Sequence, residues 1–295
     1  MATLREIRRR IKSVKSTAQI TKAMELVAAS KMRRAQERVL SARPYAEKMH
    51  SVLGDLSTNT RTTGASLHPL LARHQTGKVC LVLLTSDRGL CGSFNTNLIR
   101  HALEFVVRHR DEGEDVVLVT VGKRGRNAMV RFGANVIAEF TDLTDKPTIV
   151  DIAPIVRLLI DDYTQGVFRS VYLAYSQFIS TMTQRPVMIP VLPIEEEYLT
   201  GGHGENSPQT VDYIFEPNAS AILDALLPRY VEVQMYQALL ESIASEQSAR
   251  MVAMRNATDN AEDIVNYLTL TYNKARQASI TRELIDIATS ASAIG

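Results

Sequence analysis

The sequence predicts an α/β fold: a long antiparallel coiled coil of the N- and C-terminal helices with an inserted Rossmann-like α/β domain. The coiled coil follows from apolar or small residues that recur at alternating steps of three and four near both ends of the chain. The inserted domain follows from buried-strand patterns that alternate with helical ones, which is typical of a mainly parallel sheet. The predicted division is 1–56 for the N-terminal coiled-coil helix, 57–77 for a linker, 78–210 for the α/β globular domain and 211–295 for the C-terminal coiled-coil helix.

The N-terminal helix has a regular apolar seam from Ala28 onward. Just before Ala28 the pattern is poorer, and Thr17, Thr21 and Met24 fall on the seam. An irregular stretch of this kind predicts a stutter that locally loosens the supercoil. Pro44 lies inside the regular seam, which continues beyond it, so we expect a kink rather than the end of the helix.

The middle of the chain predicts alternating strands and helices. The continuous apolar run VCLVLLT is typical of a strand that is buried on both faces. Strands are predicted at 79–85, 116–121, 135–140, 170–178 and 186–192, with helices at 95–109, at 123–132 and from 147 onward. A polar, glycine-containing loop is predicted at 195–210 and a short edge strand at 212–217.

The C-terminal helix contains neither Gly nor Pro between Arg229 and Ile294. An unbroken helix of that length is about 100 Å long, which is several times the diameter of a small domain. Because it is longer than the N-terminal helix, an antiparallel pair would leave its last turns extending beyond Met1. Those turns lack aromatic residues, and such a smooth tip suits insertion into a sleeve of other chains.

Charge is distributed unevenly along the chain. The first fifty residues carry 13 Lys or Arg against 4 Asp or Glu, whereas the whole chain has a net charge of only +2. A basic helix predicts an acidic partner, which could be nucleic acid, anionic lipid or an acidic protein surface. The two cysteines, Cys80 and Cys91, form no ligand cluster, and no apolar run reaches the length of a membrane span. These features predict a cytoplasmic protein that associates with membranes only through partners.

One turn, Ser86–Gly92, resembles a phosphate-binding loop because it follows a buried strand and precedes a helix. Its sequence, SDRGLCG, matches neither nucleotide-binding glycine motif, so a tight structural turn is the favoured interpretation. The histidines and carboxylates show no catalytic or metal-ligand spacing, so the sequence predicts a mechanical or assembly protein without a cofactor. A nucleotide-binding enzyme and a nucleic-acid-binding coiled-coil protein, with its basic cluster at Arg5–Lys15, are the alternatives.

Four long stretches identify a resemblance to the gamma subunit of F-type ATP synthases, of the bacterial type. The stretches are ITKAMELVAASKMRRAQ (20–36), TSDRGLCGSFNTN (85–97), SEQSARMVAMRNATDNA (245–261) and YNKARQASITRELIDI (272–287). They span essentially the whole chain in the same order as in the family. The chain departs from the family at Ser290, where glycine is usual, which affects the expected packing of the tip.

The resemblance implies a central rotor shaft rather than a catalyst. In this family the terminal helices thread a hexamer of alpha and beta subunits, and the α/β domain lies against epsilon and the membrane ring of c subunits. Proton flow turns the ring and the shaft, and the shaft drives the catalytic sites, which belong to beta. The resemblance therefore implies no bound cofactor, no nucleic acid, and a peripheral position on the cytoplasmic face of the cell membrane.

The resemblance also implies which residues contact partners, by their place in the matching stretches. The implied beta-subunit contacts are Lys22, Met24, Lys31, Arg33, Arg34, Arg276, Gln277 and Thr281. The implied contacts with epsilon and the c ring are Asp212, Tyr213 and Glu216. The acidic partner expected for the basic helix would then be the acidic lever segment of beta.

Overall fold

A computed structural model describes residues 3–63, 68–144, 146–194 and 219–294. The elements in chain order are α1 (Leu4–Thr63), β1 (Lys78–Leu84), α2 (Phe94–Asp111), β2 (Val116–Val121), α3 (Lys123–Arg131), β3 (Asn135–Phe140), α4 (Ile149–Thr164), β4 (Phe168–Phe178), β5 (Gln184–Leu192) and α5 (Ala219–Ile294). The strands and helices predicted between residues 79 and 192 are all present, and their ends match the predictions or differ from them by a few residues.

The strands form one five-stranded sheet in the order β3-β2-β1-β4-β5. The β1–β2, β1–β4 and β2–β3 pairs are parallel, and β4–β5 is antiparallel. Antiparallel pairing at one edge fits the short connection between β4 and β5, because parallel neighbours need a longer crossover. The predicted fold class, an α/β chain with a mainly parallel sheet and long terminal helices, is confirmed.

Helices cover both faces of this sheet, which explains why its central strands are apolar on both faces. On one face Val79, Leu81 and Leu83 of β1 belong to a buried cluster with residues of α2 and α3. On the other face Cys80 and Val82 belong to a second cluster with residues of α4, α1 and α5. The terminal helices therefore contribute to the core of the sheet domain as well as to a coiled coil.

By their contacts the residues divide into two compact units. The helix-pair unit consists of residues 1–29 and 250–295, and the sheet unit consists of residues 30–249. Each long helix contributes residues to both units. The sheet unit includes residues 30–63 of α1 and 219–249 of α5.

The N-terminal helix differs from its predicted boundary. α1 continues through Pro44 to Thr63, so residues 57–63 are helical rather than part of a linker. α5 is helical from Ala219, inside the predicted range 211–295, and it includes Pro228. The loop predicted at 195–210 and the strand predicted at 212–217 lie outside the described residues.

The predicted stutter in α1 is wrong, because the buried seam of α1 keeps a regular spacing. Thr17 is exposed, whereas Ala18 is half-buried and Glu25 is buried. The buried and half-buried seam positions are Leu4, Ile7, Ile11, Val14, Ala18, Thr21, Glu25, Ala28, Met32 and Ala35. Their spacing alternates between three and four without interruption, which is the pattern of a continuous heptad seam.

Candidate protein interaction site on the terminal helices

Side-chain hydrogen bonds within the helix-pair unit show how α1 and α5 are aligned. The bonded pairs are Arg8 Nη2 to Tyr272 OH (3.0 Å), Thr21 Oγ1 with Thr258 Oγ1 (2.7 Å) and Arg255 Nε to Glu25 Oε1 (3.1 Å). As the residue number rises in α1 it falls in α5, so the helices are antiparallel, as predicted. Arg8 also lies over the ring of Tyr272, with its guanidinium carbon 5.6 Å from the ring centre.

Glu25 is a buried carboxylate within this seam, and its side chain is 5% exposed. Its two oxygens are divided between two cations: Lys22 Nζ donates to Oε2 at 3.0 Å and Arg255 Nε donates to Oε1 at 3.1 Å. The hydrogen bond from Lys22, assisted by that from Arg255, lowers the pKa of Glu25 although burial opposes the shift. Together with the Thr21–Thr258 bond one turn away, this pairing fixes the register of the two helices.

The C-terminal end of α5 extends past the start of α1. Because Arg8 lies opposite Tyr272, Leu4 at the start of α1 lies level with about residue 276 of α5. Residues 281–290 of α5 are all exposed. This confirms that the longer helix projects beyond its partner, and we call residues 277–294 the overhang.

The overhang and the paired helices expose many large apolar side chains. On the overhang these are Ile280, Leu284, Ile285 and Ile287, with exposed fractions of 48% to 66%. Along the pair they are Ile20, Leu26, Val27, Ile264, Tyr267 and Leu270, with exposed fractions of 48% to 71%. Exposed apolar surface of this extent is typical of a protein–protein contact rather than of a free surface.

The predicted contact residues form two separate groups within the helix-pair unit. Lys22 is exposed and bonded to Glu25, and Met24 is half-buried beside the seam. The other group consists of Arg276, Gln277 and Thr281, which are exposed where the overhang begins. Arg276 lies level with the start of α1, about 18 residues from Lys22, which corresponds to roughly 27 Å along the helix.

The remaining predicted residues lie elsewhere. In the sheet unit, Lys31 is half-buried and the exposed Arg33 donates to Glu37 at 3.3 Å. The exposed Arg34 donates to Ser30 Oγ at 2.8 Å. The predicted contacts Asp212, Tyr213 and Glu216 lie outside the described residues. Sequence reasoning missed Glu25 and Arg255; the signal was the Lys22-x-x-Glu25 spacing, which places opposite charges on one helix face.

The Ser86–Gly92 turn uses its polar groups to hold the sheet unit together. The Asp87 carboxylate accepts the backbone N–H groups of Lys123 and Asp142, each at 3.0 Å. Ser86 donates its hydroxyl to the Arg88 carbonyl at 2.7 Å, and its backbone N–H bonds Asn95 Oδ1 at 3.1 Å. Asp87 therefore joins this turn to the start of α3 and to the segment after β3, which favours the structural interpretation of the turn.

Helix α5 crosses the sheet edge where open α/β folds bind ligands. Three serine hydroxyl groups of α5 donate hydrogen bonds to backbone carbonyls at this edge. Ser242 donates to Leu84 at the end of β1 (3.5 Å), Ser245 to Ser176 near the end of β4 (2.9 Å), and Ser248 to Thr181 in the loop after β4 (2.7 Å). β1 has β2 on one side and β4 on the other, so this is the switch point of the sheet. The cavity left there, between the Asp87 turn and α5, has a volume of about 60 Å³, whereas small-molecule sites measure roughly 300–1,000 Å³.

We expect the full-length chain to show no saturable binding of ATP with magnesium at this edge, because α5 and Asp87 fill it. Isothermal titration calorimetry of the purified chain measures this directly. Saturable binding at micromolar ATP that a Ser86→Ala substitution weakens would contradict the structural interpretation of the turn.

In the part of the chain that the structure describes, no helix combines the length and the apolar character needed to cross a bilayer.

Comparison with known proteins gives one consistent result. The family model described as ATP synthase matches residues 3–294. The ATP synthase gamma chain of Herpetosiphon aurantiacus is 49% identical over 300 residues, which covers 100% of this chain and 99% of that protein. The gamma chain of Nitrosospira multiformis is 48% identical over 296 residues, which covers all of both chains.

Solved structures agree with the sequence comparison. A chain of the Tetrahymena thermophila mitochondrial ATP synthase central stalk and c-ring matches with a TM-score of 0.61 and 28% identity, covering 81% of this chain and 99% of that one. A chain of the Euglena gracilis mitochondrial ATP synthase matches in fold with a TM-score of 0.66 and 19% identity, covering 99% and 94%. With an antiparallel helix pair, an exposed apolar overhang and a filled ligand edge, the chain belongs to the ATP synthase gamma chain family.

Proposed function

We propose that this chain is the central rotor shaft of an F-type ATP synthase, which couples proton flow through the membrane sector to ATP synthesis or hydrolysis at the beta subunits. The observation that carries the proposal is the overhang, a helix that extends past the start of α1 while exposing large apolar side chains. Such a helix needs a surrounding surface from other chains, and the alpha–beta hexamer supplies one.

The helix-pair unit has the construction that torque transmission requires. A single α-helix bends easily, whereas two helices joined by the Glu25 and Thr21 contacts cannot slide past one another without breaking buried polar bonds. In the proposed mechanism the pair turns as one body, and its uneven surface of basic and apolar side chains presents a different face to each beta subunit in turn. The chain itself carries out no chemistry, since catalysis lies on beta.

The assembly follows from the same proposal. The paired helices and overhang would contact alpha and beta, and the segment with Asp212, Tyr213 and Glu216 would contact epsilon and the c ring. The chain would then lie at the cytoplasmic face of the cell membrane and be held there by its partners. The basic cluster at the N-terminus would face an acidic protein surface rather than nucleic acid, because the chain belongs to the ATP synthase gamma chain family.

Reconstitution tests the proposal. Alpha and beta subunits mixed with this chain should form a complex of fixed stoichiometry that hydrolyses ATP, and adding the membrane sector in vesicles should produce ATP-driven proton uptake. Truncation before residue 277 removes the overhang and should reduce both the yield of the complex and the pumping. A chain that fails to join alpha and beta, or a truncated chain that pumps as well as the intact one, would contradict the proposed role.

We expect Met24→Lys to impair coupling more than assembly. Met24 is half-buried, and its neighbour Glu25 occupies the buried seam position. A lysine at position 24 can therefore reach solvent without breaking the helix pair. Against an acidic beta surface, the new ammonium group would add about 1–4 kcal/mol of attraction in one rotary position and not in the next. This uneven attraction is a barrier to rotation. Proton pumping per ATP hydrolysed should fall, whereas Met24→Leu should leave it unchanged.

Normal pumping by the Met24→Lys complex would contradict this expectation. Loss of assembly would contradict it as well, because it would mean that Met24 acts as a core residue of the pair.

A further inference from the structure

A compact group of metal-ligating side chains lies at the end of α2, where the chain turns into β2. His109 is in the last turn of the helix, Glu112 follows its end, and Glu114 lies in the loop before β2. One ligand atom from each of these three residues lies within 4.8 Å of the other two. The group lies at the amino end of β2, whereas the Ser86–Gly92 turn lies at the carboxyl end of the parallel strand β1, so the two are at opposite ends of the strands.

The imidazole of His109 is held in a defined orientation. Its ring lies 4.1 Å from the ring centre of Phe105 and 6.1 Å from that of Tyr172, so two aromatic side chains restrict its rotation. In this orientation Nδ1 lies 2.5 Å from Glu114 Oε2 and 3.6 Å from Glu112 Oε2. A single ring nitrogen therefore faces both carboxylates.

Glu114 has one oxygen for each of two partners. Arg169 of β4 donates to Oε1, whereas Oε2 faces His109. The hydrogen bond from Arg169 is the largest cause of the lowered pKa of Glu114, so this carboxylate is ionised at neutral pH. An arginine bonded to the outer oxygen of a carboxylate orients the inner oxygen, which is the usual role of a residue in the outer shell of a metal site.

We propose that His109 Nδ1, Glu112 Oε2 and Glu114 Oε2 form a binding site for Zn²⁺, with water as the fourth ligand. Two ligands on a tetrahedral zinc ion, each bound at about 2.0–2.1 Å, lie roughly 3.3 Å apart. The 3.6 Å between His109 Nδ1 and Glu112 Oε2 is close to this value. His109 Nδ1 and Glu114 Oε2, which lie 2.5 Å apart, would separate by about 0.8 Å to hold zinc between them. An imidazole with carboxylates suits zinc better than magnesium or calcium, which prefer oxygen ligands alone.

The ligands differ in exposure, which sets how the site would fill. The side chains of His109 and Glu114 are 15% and 21% exposed, whereas that of Glu112 is 54% exposed. An ion can therefore enter from solvent on the side of Glu112 and bind the more buried His109 and Glu114, which lie beside one another. Once bound, it would fix the end of α2 to the loop that begins β2.

The same helix supplies a matched control. His101 Nδ1 lies 3.6 Å from Glu104 Oε2, with the same three-residue spacing and distance as His109 and Glu112. Among the described residues, however, the His101–Glu104 pair belongs to no group of three ligands. His101→Ala therefore removes a similar surface histidine without touching the proposed site.

The test is isothermal titration of ZnCl₂ into the purified full-length chain and three variants. We expect one saturable site in the wild-type chain and in His101→Ala, with affinity weakened at least about tenfold in His109→Ala and in Glu112→Gln. Glu112→Gln keeps the shape of an exposed side chain, so its effect does not depend on whether His109→Ala folds normally. The absence of a saturable site in the wild-type chain, or equal losses in His101→Ala and Glu112→Gln, would overturn the proposal.

Discussion

Replacement of Gly122 by alanine is expected to destabilise the sheet unit by roughly 3–5 kcal/mol. Gly122 joins the end of β2 to α3 and has a φ of 97°, a region that residues with a side chain rarely adopt. A Cβ atom there would also collide with the carbonyl oxygen of Thr85, which belongs to the backbone beside β1. The backbone cannot yield easily, because Gly122 N–H donates to the Phe140 carbonyl at 2.8 Å.

Gly133→Ala separates the two causes of this effect. Gly133 also has a positive φ, 71°, but a Cβ added there meets no atom within 4 Å. Its replacement should cost only the backbone strain, about 1–2 kcal/mol, so the difference between the variants measures the collision with Thr85. The chain has no tryptophan, so urea unfolding is followed by the near-ultraviolet circular dichroism of tyrosines such as Tyr163 and Tyr175. Equal losses in the two variants would contradict the expectation.

The fold was predictable from the sequence because its strands are short, apolar on both faces and separated by clear helical patterns. β2 and β3 begin and end where the pattern placed them. The linker prediction was wrong at 57–63, because a run of Ser, Thr and Asn has low helix propensity, yet α1 continues through it. Tertiary contacts of the preceding turn, where Met49 and Leu53 are buried in the core, support that continuation.

The candidate site was only partly predictable from the sequence. Antiparallel pairing and the overhang follow from the lengths and attachment of the two helices, which the sequence displays. The buried polar layer formed by Glu25, its two cations and the Thr21–Thr258 bond does not follow from the sequence, because glutamate is normally a surface residue and a search for apolar positions passes over it. The prediction left Glu25 out of the seam and assigned Thr17 and Met24 to it in place of Ala18 and Glu25. This assignment produced the predicted stutter, which the structure lacks. Only the partner helix, which supplies Arg255, shows why a carboxylate can be buried there.

Removal of both cations that surround Glu25 is expected to destabilise the helix pair by about 3–5 kcal/mol, because it leaves a buried carboxylate without a charged partner. Lys22→Ala or Arg255→Ala alone should cost less, about 1–2 kcal/mol, since one cation remains on one oxygen of Glu25. The double variant should therefore lose more than the sum of the single variants, as expected for residues that share one partner.

Acidification should also destabilise the helix pair of the wild-type chain, because it protonates Glu25. The pKa of Glu25 is lowered in the folded state, chiefly by Lys22 and then by Arg255, from the ordinary glutamate value of 4.5. Its contribution to stability is therefore complete above about pH 4.5 and is lost as the pH falls through the folded-state pKa. Glu25→Leu lacks this carboxylate, so the stability difference between wild-type and Glu25→Leu should shift in favour of the variant on acidification.

Adding Glu25→Leu to the Lys22→Ala, Arg255→Ala double variant should restore most of the lost stability, because leucine suits an apolar seam position and leaves no unpaired charge. Unfolding of the full-length chain is followed by circular dichroism at 222 nm, which reports the helices. Arg33→Ala is the control: it breaks an ion pair whose side chains are 81% and 64% exposed, and it should change stability by less than about 0.5 kcal/mol.

If the triple variant were as unstable as the double variant, the loss would come from the missing side chains themselves and not from the buried charge. If it were restored in stability but impaired in proton pumping, the polar layer would serve the register of the rotating helices, since an all-apolar seam permits them to slip.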